Sequence, residues 1–476
     1  MPTPVRGTRH ARTQVRVRPP RVAMPSLDVL EATLRDWLGE VPLAPPPHSR
    51  GPGCPPVLPA MLLWTGLLVC ILRGWSAQLQ LWRLLSQWGL WHFPRVPVTD
   101  MAVYQRLKRT GPAPLEQFFT QLSAVIRQRL ALPPVVPFAP FATEILALDQ
   151  TVLEPVLRHL PGLRDVPVGD HRLLPGVLNC LFDVRRQQWW RVAFSPTAME
   201  NEKPAGWALL AAVPAGALLL FDLGYFAFAW FDQLTHQGLS FVSRWRQRVS
   251  FAEVHLLYAG GNAQLYLRES LIYLGTGTDR AAFPLRLIQL TRGATTYRYL
   301  TNILDPRRLP AWQVVALYQR RWDIEKAFDL LKTHLGLHLL WSAHPNVLLQ
   351  QVYATLALAQ VVFALRAEIA HQAGAAVQEV SLPLMLRTLP HLAAAGQDPL
   401  AVFVARGRAA GCIRPCRSRD YRVPTVPAAA YDLPERLPPR RRAKYGRAHE
   451  NPEHWRLQEH LNALPADPGA LLTASA

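Results

Sequence analysis

A phenol, a guanidinium, a carboxylate and an ammonium recur on one face of a helix-forming stretch. Tyr318, Arg321, Glu325 and Lys332 stand at i, i+3, i+7 and i+14, with neither Gly nor Pro from Ala311 through Leu335. At 3.6 residues per turn the four fall within an arc of about 60°. A second stripe, Val314, Leu317, Ile324, Phe328, Leu331 and Leu335, lies beside them and is apolar throughout, so it faces a core. Two more acids close apolar runs upstream: Asp149 after Glu144–Leu148, and Asp222 after Gly216–Phe221. Carboxylates suit a hard divalent cation that keeps several waters. Arg suits a phosphate through its planar fork, and Lys as a point charge. A Tyr hydroxyl can hydrogen-bond the same group. Residues of these types are suited to metal-assisted work on a phosphate ester.

Such chemistry needs elements that bring distant residues together. The runs ending in Asp149 and Asp222 read as buried strands, each presenting a carboxylate at its C-terminal end. Between them, Val177–Asp183 and Trp189–Phe194 read as a hairpin turning at Arg185–Gln188, and Ala205–Val213 as a helix. Phe241–Ser243 is the next core strand. Asp222 and Glu325 are 103 residues apart (325 − 222), far more than one strand and one helix require. That interval reads as β: Glu253–Tyr258, Gln264–Leu267, Leu271–Leu274, Leu285–Leu290 and Tyr297–Ile303 alternate or run apolar, with Gly275–Thr278 as a hairpin turn. Upstream, Ala60 to about Leu130 reads as helical. It holds Ala60–Arg73, a helix capped by Ser76, and a capped helix over Pro97–Arg109 with Arg106, Lys108 and Arg109 in its second half. Asn346–His371 is a long apolar helix backing the core.

The spacing Tyr-x2-Arg-x3-Glu-x6-Lys over 318–332 resembles the signature of bacterial insertion-sequence DDE transposases of the insertion-sequence-four family. Asp222-Leu-Gly-Tyr225 fits the Asp-x-Gly-Tyr of that family, and Asp149-Gln-Thr stands close to its Asp-small-Thr. Gln105-Arg-Leu-Lys108, followed by Pro114-Leu-Glu-Gln-Phe-Phe119, resembles a stretch of the family's N-terminal domain. The resemblance covers roughly residues 30–345. It implies an α/β fold: an RNase H-like catalytic core with a β-rich insert at about 244–301, before the catalytic Glu helix, plus an N-terminal all-helical DNA-binding domain. It implies that Asp149, Asp222 and Glu325 are both catalytic and metal-ligating, holding two Mg²⁺ ions, with Mn²⁺ as a substitute. Tyr318, Arg321 and Lys332 become phosphate contacts, and Arg106, Lys108 and Arg109 DNA contacts of the helical domain. Tyr297, with Thr301-Asn302 following, occupies the place of an aromatic residue that stacks on a flipped-out base in relatives, where the relatives have Trp. The implied partners are double-stranded DNA, as element terminal inverted repeats and as target, and a second copy in a homodimeric synapse. The implied reaction is cleavage at the element ends and joining of the 3′-OH to target DNA, by a cut-and-paste route. Two other readings use the same residues: a degenerate relative that binds DNA without cutting, and a metal-dependent nuclease without strand transfer. The presence of all three acids with the Tyr/Arg/Lys set weighs against the first, and the insert and helical domain against the second.

Composition agrees with a nucleic-acid partner. The 476-residue chain carries a net charge of +19 and a pI near 10.4, which favours a polyanion, nucleic acid before a membrane surface. Half of it is apolar, enough for two or three domains and a sizeable core. The expected division is a basic disordered arm over 1–24, a helical DNA-binding domain over 25–135, a catalytic domain over 136–400 and an Arg/Pro-rich tail over 401–476. Five scattered Cys residues indicate no disulfide framework, and Cys412-x3-Cys416 lacks a partner pair for zinc. His334, His338 and His344 suit no metal geometry and read as surface or DNA-contacting residues. The apolar runs Val57–Leu72 and Val352–Leu365 fall short of the ~18–20 residues of a membrane span and read as buried helices. No signal-peptide pattern is present. A cytoplasmic, nucleoid-associated location without membrane contact is therefore expected.

Overall fold

The structure, a computed structural model, describes residues 58–75, 77–90, 95–129, 138–154, 165–167, 170, 173–199, 201–276, 279–394, 398–415 and 423–437. The expected arm over 1–24, the Ser76 cap, Cys54, Cys416 and the Arg run over 440–447 lie outside these residues. Among the described residues four α-helices come first: α1 (Ala60–Leu72), α2 (Gln78–Arg83), α3 (Asp100–Thr110) and α4 (Ala113–Arg129). Thr99 starts α3 by accepting the Ala102 amide on its hydroxyl, a cap that satisfies an otherwise orphaned donor.

The sheet begins with β1 (Ile145–Val152), β2 (Val177–Asp183) and β3 (Gln188–Ser195). After α5 (Glu202–Leu210) come β4 (Leu218–Phe221), α6 (Phe228–His236) and β5 (Ser240–Arg244). Four more strands follow: β6 (Phe251–Gly261), β7 (Leu265–Leu274), β8 (Leu285–Arg292) and β9 (Thr295–Thr301). All nine form one mixed sheet in the order β3-β2-β1-β4-β5-β9-β8-β7-β6. β1, β4 and β5 run parallel, and the remaining pairings are antiparallel. Strands β6–β9 therefore extend the sheet through the β5–β9 pairing.

Strand periodicity separates two cores. In β1, Ile145 and Ala147 point into the larger cluster, and Leu146 and Leu148 into the smaller one, which α5 and α6 cover. The larger core is shared. Leu63 of α1, Val103 of α3 and Phe118 of α4 belong to the same cluster as the strands and as the long helix α9 (Pro345–Gln372). Buried Gln side chains of α9 bind backbone groups: Gln350 donates to Leu107 O, and Gln360 accepts the Trp189 amide and donates to Trp189 O and Ser123 Oγ. By length and hydropathy α9 matches a membrane span, yet almost all of its most apolar stretch is buried inside the fold.

Two expectations are corrected here. Gln264–Leu267 and Leu271–Leu274 are one strand, β7. The polar Arg268-Glu269-Ser270 between them breaks the apolar run in the sequence, but Glu269 and Arg286 of β8 are both fully buried and pair at 3.2 Å. The Arg/Pro-rich tail expected over 401–476 is not loose throughout: residues 423–437 lie along the outer strands. Tyr431 donates to Glu269 at 2.9 Å, the Asp432 amide donates to Leu257 O, and Leu437 packs with Leu257, Leu271 and Leu304. Before this segment come α10 (Leu382–Ala394) and α11 (Pro399–Arg406).

Candidate active site

Two carboxylates arrive side by side because two parallel strands are in register. β1 and β4 pair with Leu148 opposite Phe221, so the next residues, Asp149 and Asp222, leave the same sheet edge together. By alternation both point toward the larger core, the side occupied by the Glu helix. Asp149 is fixed by its own strand: Oδ1 accepts the Gln150 amide at 2.8 Å. Asp222 ends β4 and caps a single 3₁₀ turn over Leu223–Tyr225, accepting the Gly224 amide at 2.8 Å.

The third carboxylate lies on a helix that is not uniform. The expected helix over 311–335 comprises α7 (Ala311–Arg320), α8 (Trp322–Asp329) and a wide π turn over Leu330–His334. At Arg321 the ladder tightens: the Arg321 and Ile324 amides donate three residues back, to Tyr318 and Arg321. All six residues of the expected apolar stripe are buried. That burial presses the polar face onto the end of β1. Arg321 Nη2 donates to Glu325 Oε1 at 2.8 Å, and Arg321 Nη1 lies 3.5 Å from Asp149 Oδ2. Its guanidinium also stands 5.8 Å from the Tyr318 ring centre and 5.3 Å from that of Trp322. Lys332, in the π turn, donates to Val152 O at 2.7 Å and lies 3.6 Å from Glu154. Arg321, Glu325 and Lys332 thus meet at or beside the C-terminal half of β1, while Tyr318 lies toward β9 against Tyr299.

The electrostatics follow from this crowding. Burial pushes the Asp149 carboxyl up to about 6. The Gln150 amide opposes the rise, Asp222 adds to it, and Arg321 offsets part of it. Burial also raises the Tyr318 phenol, against the pull of Arg321 and Arg244. Arg244, at the end of β5, is a cation of this site that the sequence reading did not single out.

The other predicted residues lie elsewhere. Arg106, Lys108 and Arg109 are on α3, Arg109 exposed and the other two half-buried. α3 is tied to α9 through Asn346, which donates to Lys108 O. Tyr297 is half-buried on β9 opposite Leu290. Tyr299, two residues on, is the tyrosine that packs against Tyr318, with ring centres 5.5 Å apart. Asn302 is structural, accepting the Phe241 amide and donating to Leu239 O. His338 contacts Lys332 O, and His334 lies 3.8 Å from Asp329.

An all-oxygen donor set from two adjacent strand ends and a facing helix suits a hard divalent cation. The positive charge now between Asp149 and Glu325 is the Arg321 guanidinium. Among the described residues no three acid, His or Cys side chains already form a closed ion cage. The donor chemistry fits a metal, with the carboxylates gathered at one edge and not yet converged on one point. Glu202 is a further acid here that the sequence reading missed. At the first turn of α5, after the capping Asn201, it reads in sequence as a helix-dipole residue.

Fold and site together define a mixed α/β protein with an acidic and basic cluster at the C-terminal edge of its parallel strands. Residues 171–359 match the family model described as Transposase DDE domain. That match takes in Asp222, Tyr318, Arg321, Glu325 and Lys332 and begins beyond Asp149. A protein of Sinorhizobium fredii (strain NBRC 101917 / NGR234) named "Putative transposase y4zB" is 27% identical over 150 residues, which are 30% of this chain and 41% of that protein. The chain thus spans about two fifths of the length of that relative. Among solved structures, the piggyBac transposase synaptic complex with hairpin DNA aligns over 83% of this chain and 85% of that one, at 10% identity and a TM-score of 0.36.

Proposed function

We propose that the chain is a DDE transposase of the insertion-sequence-four type, which cleaves the ends of an insertion element and joins the freed 3′-OH to target DNA by a cut-and-paste route. The observation that carries this is the β1–β4 register, which sets Asp149 beside Asp222 with Glu325 linked to Asp149 across Arg321. The strand order β3-β2-β1-β4-β5, with β2 antiparallel and β1, β4 and β5 parallel, supports an RNase H-like core. The matched transposase DDE domain supports the reaction class.

In this reading Asp149, Asp222 and Glu325 hold Mg²⁺, or Mn²⁺ in its place, and the bound ions supply Lewis-acid stabilisation of the phosphodiester oxygens. The remaining work belongs to the chain. Arg321 positions the Glu325 carboxylate and presents its fork to a phosphate. Tyr318 and Lys332 contact the same strand from either side of Glu325. Arg106, Lys108 and Arg109 on α3 contact the element end, Tyr297 stacks on an exposed base, and two copies of the chain hold two ends in one synapse.

The test uses the full chain, Mg²⁺ and a duplex carrying the terminal repeats that flank the gene. Asp149→Asn, Asp222→Asn and Glu325→Gln are each expected to lower cleavage and strand transfer by on the order of a hundredfold or more. End binding is retained, because affinity comes mainly from the basic surface. A variant that still cleaves removes its residue from the triad. Pre-cut ends separate the nuclease reading: a transposase joins their 3′-OH to target DNA, and a nuclease does not.

A further inference from the structure

Asp222 has a carboxylate neighbour from the opposite layer of the fold. Glu202 opens α5, whose Leu209 and Leu210 pack in the smaller core. A Cβ built on Gly224 would lie 2.0 Å from Glu202 Oε2 and 3.0 Å from Asp222 Oδ1. Both carboxylates therefore border the one small volume that Gly224 leaves free. Gly224 is not among the positive-φ glycines, so its missing side chain serves space and not backbone conformation. Lys203, adjacent to Glu202, donates to Gly224 O at 2.8 Å. Burial, with the Asp222 charge behind it, raises the Glu202 carboxyl, as expected of like charges held together.

A second observation points into the same spot. Tyr225 is fully buried, at 0% exposure, and its hydroxyl has no hydrogen-bond partner among the described residues. Its ring lies on α5: a Cβ on Gly206, one turn after Glu202, would be 3.2 Å from Tyr225 Cε1. The charged groups that act on the hydroxyl are Glu202 first, then Asp149 and Asp222. A buried hydroxyl left unpaired is costly and calls for an explanation such as an ion or a ligand-ordered group.

We propose that Glu202 is a fourth carboxylate of the metal centre, sharing a divalent cation with Asp222, and that the Tyr225 hydroxyl is the donor that positions this carboxylate pair. The presence of a cation rests on the transposase reading; the assignment of Glu202 and Tyr225 goes beyond it. A bound cation cancels the repulsion between Glu202 and Asp222. The Gly224 notch keeps the Glu202 carboxylate at the site, because any side chain there would displace it.

The experiment is a Mn²⁺ titration of the full-length protein without DNA, with free Mn²⁺ read by electron paramagnetic resonance. The wild type is expected to bind Mn²⁺, and Glu202→Gln to bind at least about tenfold more weakly. Gly224→Ala should show the same loss, and the double variant should be no worse than either single one. Glu253→Gln, which removes one charge on β6 beside Arg268, should leave the affinity unchanged. Tyr225→Phe should weaken Mn²⁺ binding while raising the thermal midpoint of the ion-free protein, an increase that a purely structural hydroxyl would not give. Glu202→Gln with an affinity within about twofold of wild type, against that tenfold expectation, overturns the assignment of Glu202. Tyr225→Phe with unchanged Mn²⁺ affinity overturns the role of Tyr225 alone. A wild-type protein that binds no Mn²⁺ overturns the metal reading itself, and this assignment with it.

Discussion

Asp149 is held in an environment that opposes its own charge. Its carboxyl is raised to about 6, first by burial and then by Asp222, with Arg321 offsetting only part of that. The unfolded value is about 3.9, so folding takes up a proton between these two pH values. The stability due to protonated Asp149 is fully present below about pH 4, and it is lost as the pH rises through 6. At pH 8 the ionised, largely buried carboxylate then costs roughly 2–3 kcal/mol. Asp149→Asn, unfolded with urea in the presence of a chelator, is therefore expected to be more stable than wild type at pH 8 by about 1–3 kcal/mol. The gain should shrink to nothing near pH 4, and a gain that grows toward acid would contradict the burial argument. Added Mn²⁺ should stabilise the wild type and not the variant, since only a state that binds the ion gains from it. The same residue shows why part of the site was legible in the sequence. An apolar run that stops at an acid marks a strand end, and two such acids with the Tyr/Arg/Glu/Lys face identify the cluster. Glu202 carried no such mark, because an acid after a capping Asn is ordinary helix chemistry. Only the packing of the start of α5 against the Asp222–Gly224 turn gives it another meaning.

At the scale of elements, periodicity reads contacts within an element well and contacts between elements poorly. The stripe from Val314 to Leu335 was readable because all six positions face one core. β7 was not, because the partners that make Glu269 tolerable come from β8 and from a segment more than 150 residues away. Glu269 and Arg286 lie 3.2 Å apart as an ion pair but are not aligned as a hydrogen bond, while Tyr431 donates to Glu269 at 2.9 Å. Arg286 also donates to Ile303 O and Leu309 O. Burial lowers the Arg286 pKa and the Glu269 charge opposes that, so each group needs the other. Arg286→Met leaves a buried carboxylate without its cation and is expected to cost about 3–5 kcal/mol. Tyr431→Phe removes one charge-assisted donor and should cost about 1–3 kcal/mol. Glu269→Gln combined with Arg286→Met should recover much of the larger loss, because breaking one half of a buried pair is worse than removing both. Urea midpoints of the three variants check this. A Tyr431→Phe protein as stable as wild type would mean that the 423–437 segment contributes nothing to holding the outer strands.

Across the whole molecule, the charge of +19 favours a polyanionic partner, but charge says nothing about how the N-terminal helices and the sheet are joined. The joint is apolar. Helices α1, α3 and α4 contribute Leu63, Leu67, Val103, Leu107, Phe118 and Leu122 to the core that also holds Ile145, Leu218 and Val242. Helix α9 bridges the two sides, with Gln350 and Asn346 bonded to the end of α3 and Gln360 bonded to β3 and α4. Sequence patterning could mark each helix as amphipathic or buried, but not which surface each would cover. The consequence is that the sheet cannot be separated cleanly from the helices before it. A fragment over 138–437 would expose the face of α9 that α1 and α4 cover and would leave Gln350 and Gln360 short of their partners. Water can take up the freed Gln groups, but the uncovered apolar face costs about 25 cal/mol per Å². A domain whose net stability is only about 5–15 kcal/mol has little room for such a loss. The fragment is expected to lack a cooperative urea transition, while the 58–437 chain keeps one. If 138–437 unfolds cooperatively, the helices form a separable domain. If it does not, α3, which carries Arg106, Lys108 and Arg109, is held rigidly through α9 against the sheet whose edge carries Asp149 and Asp222.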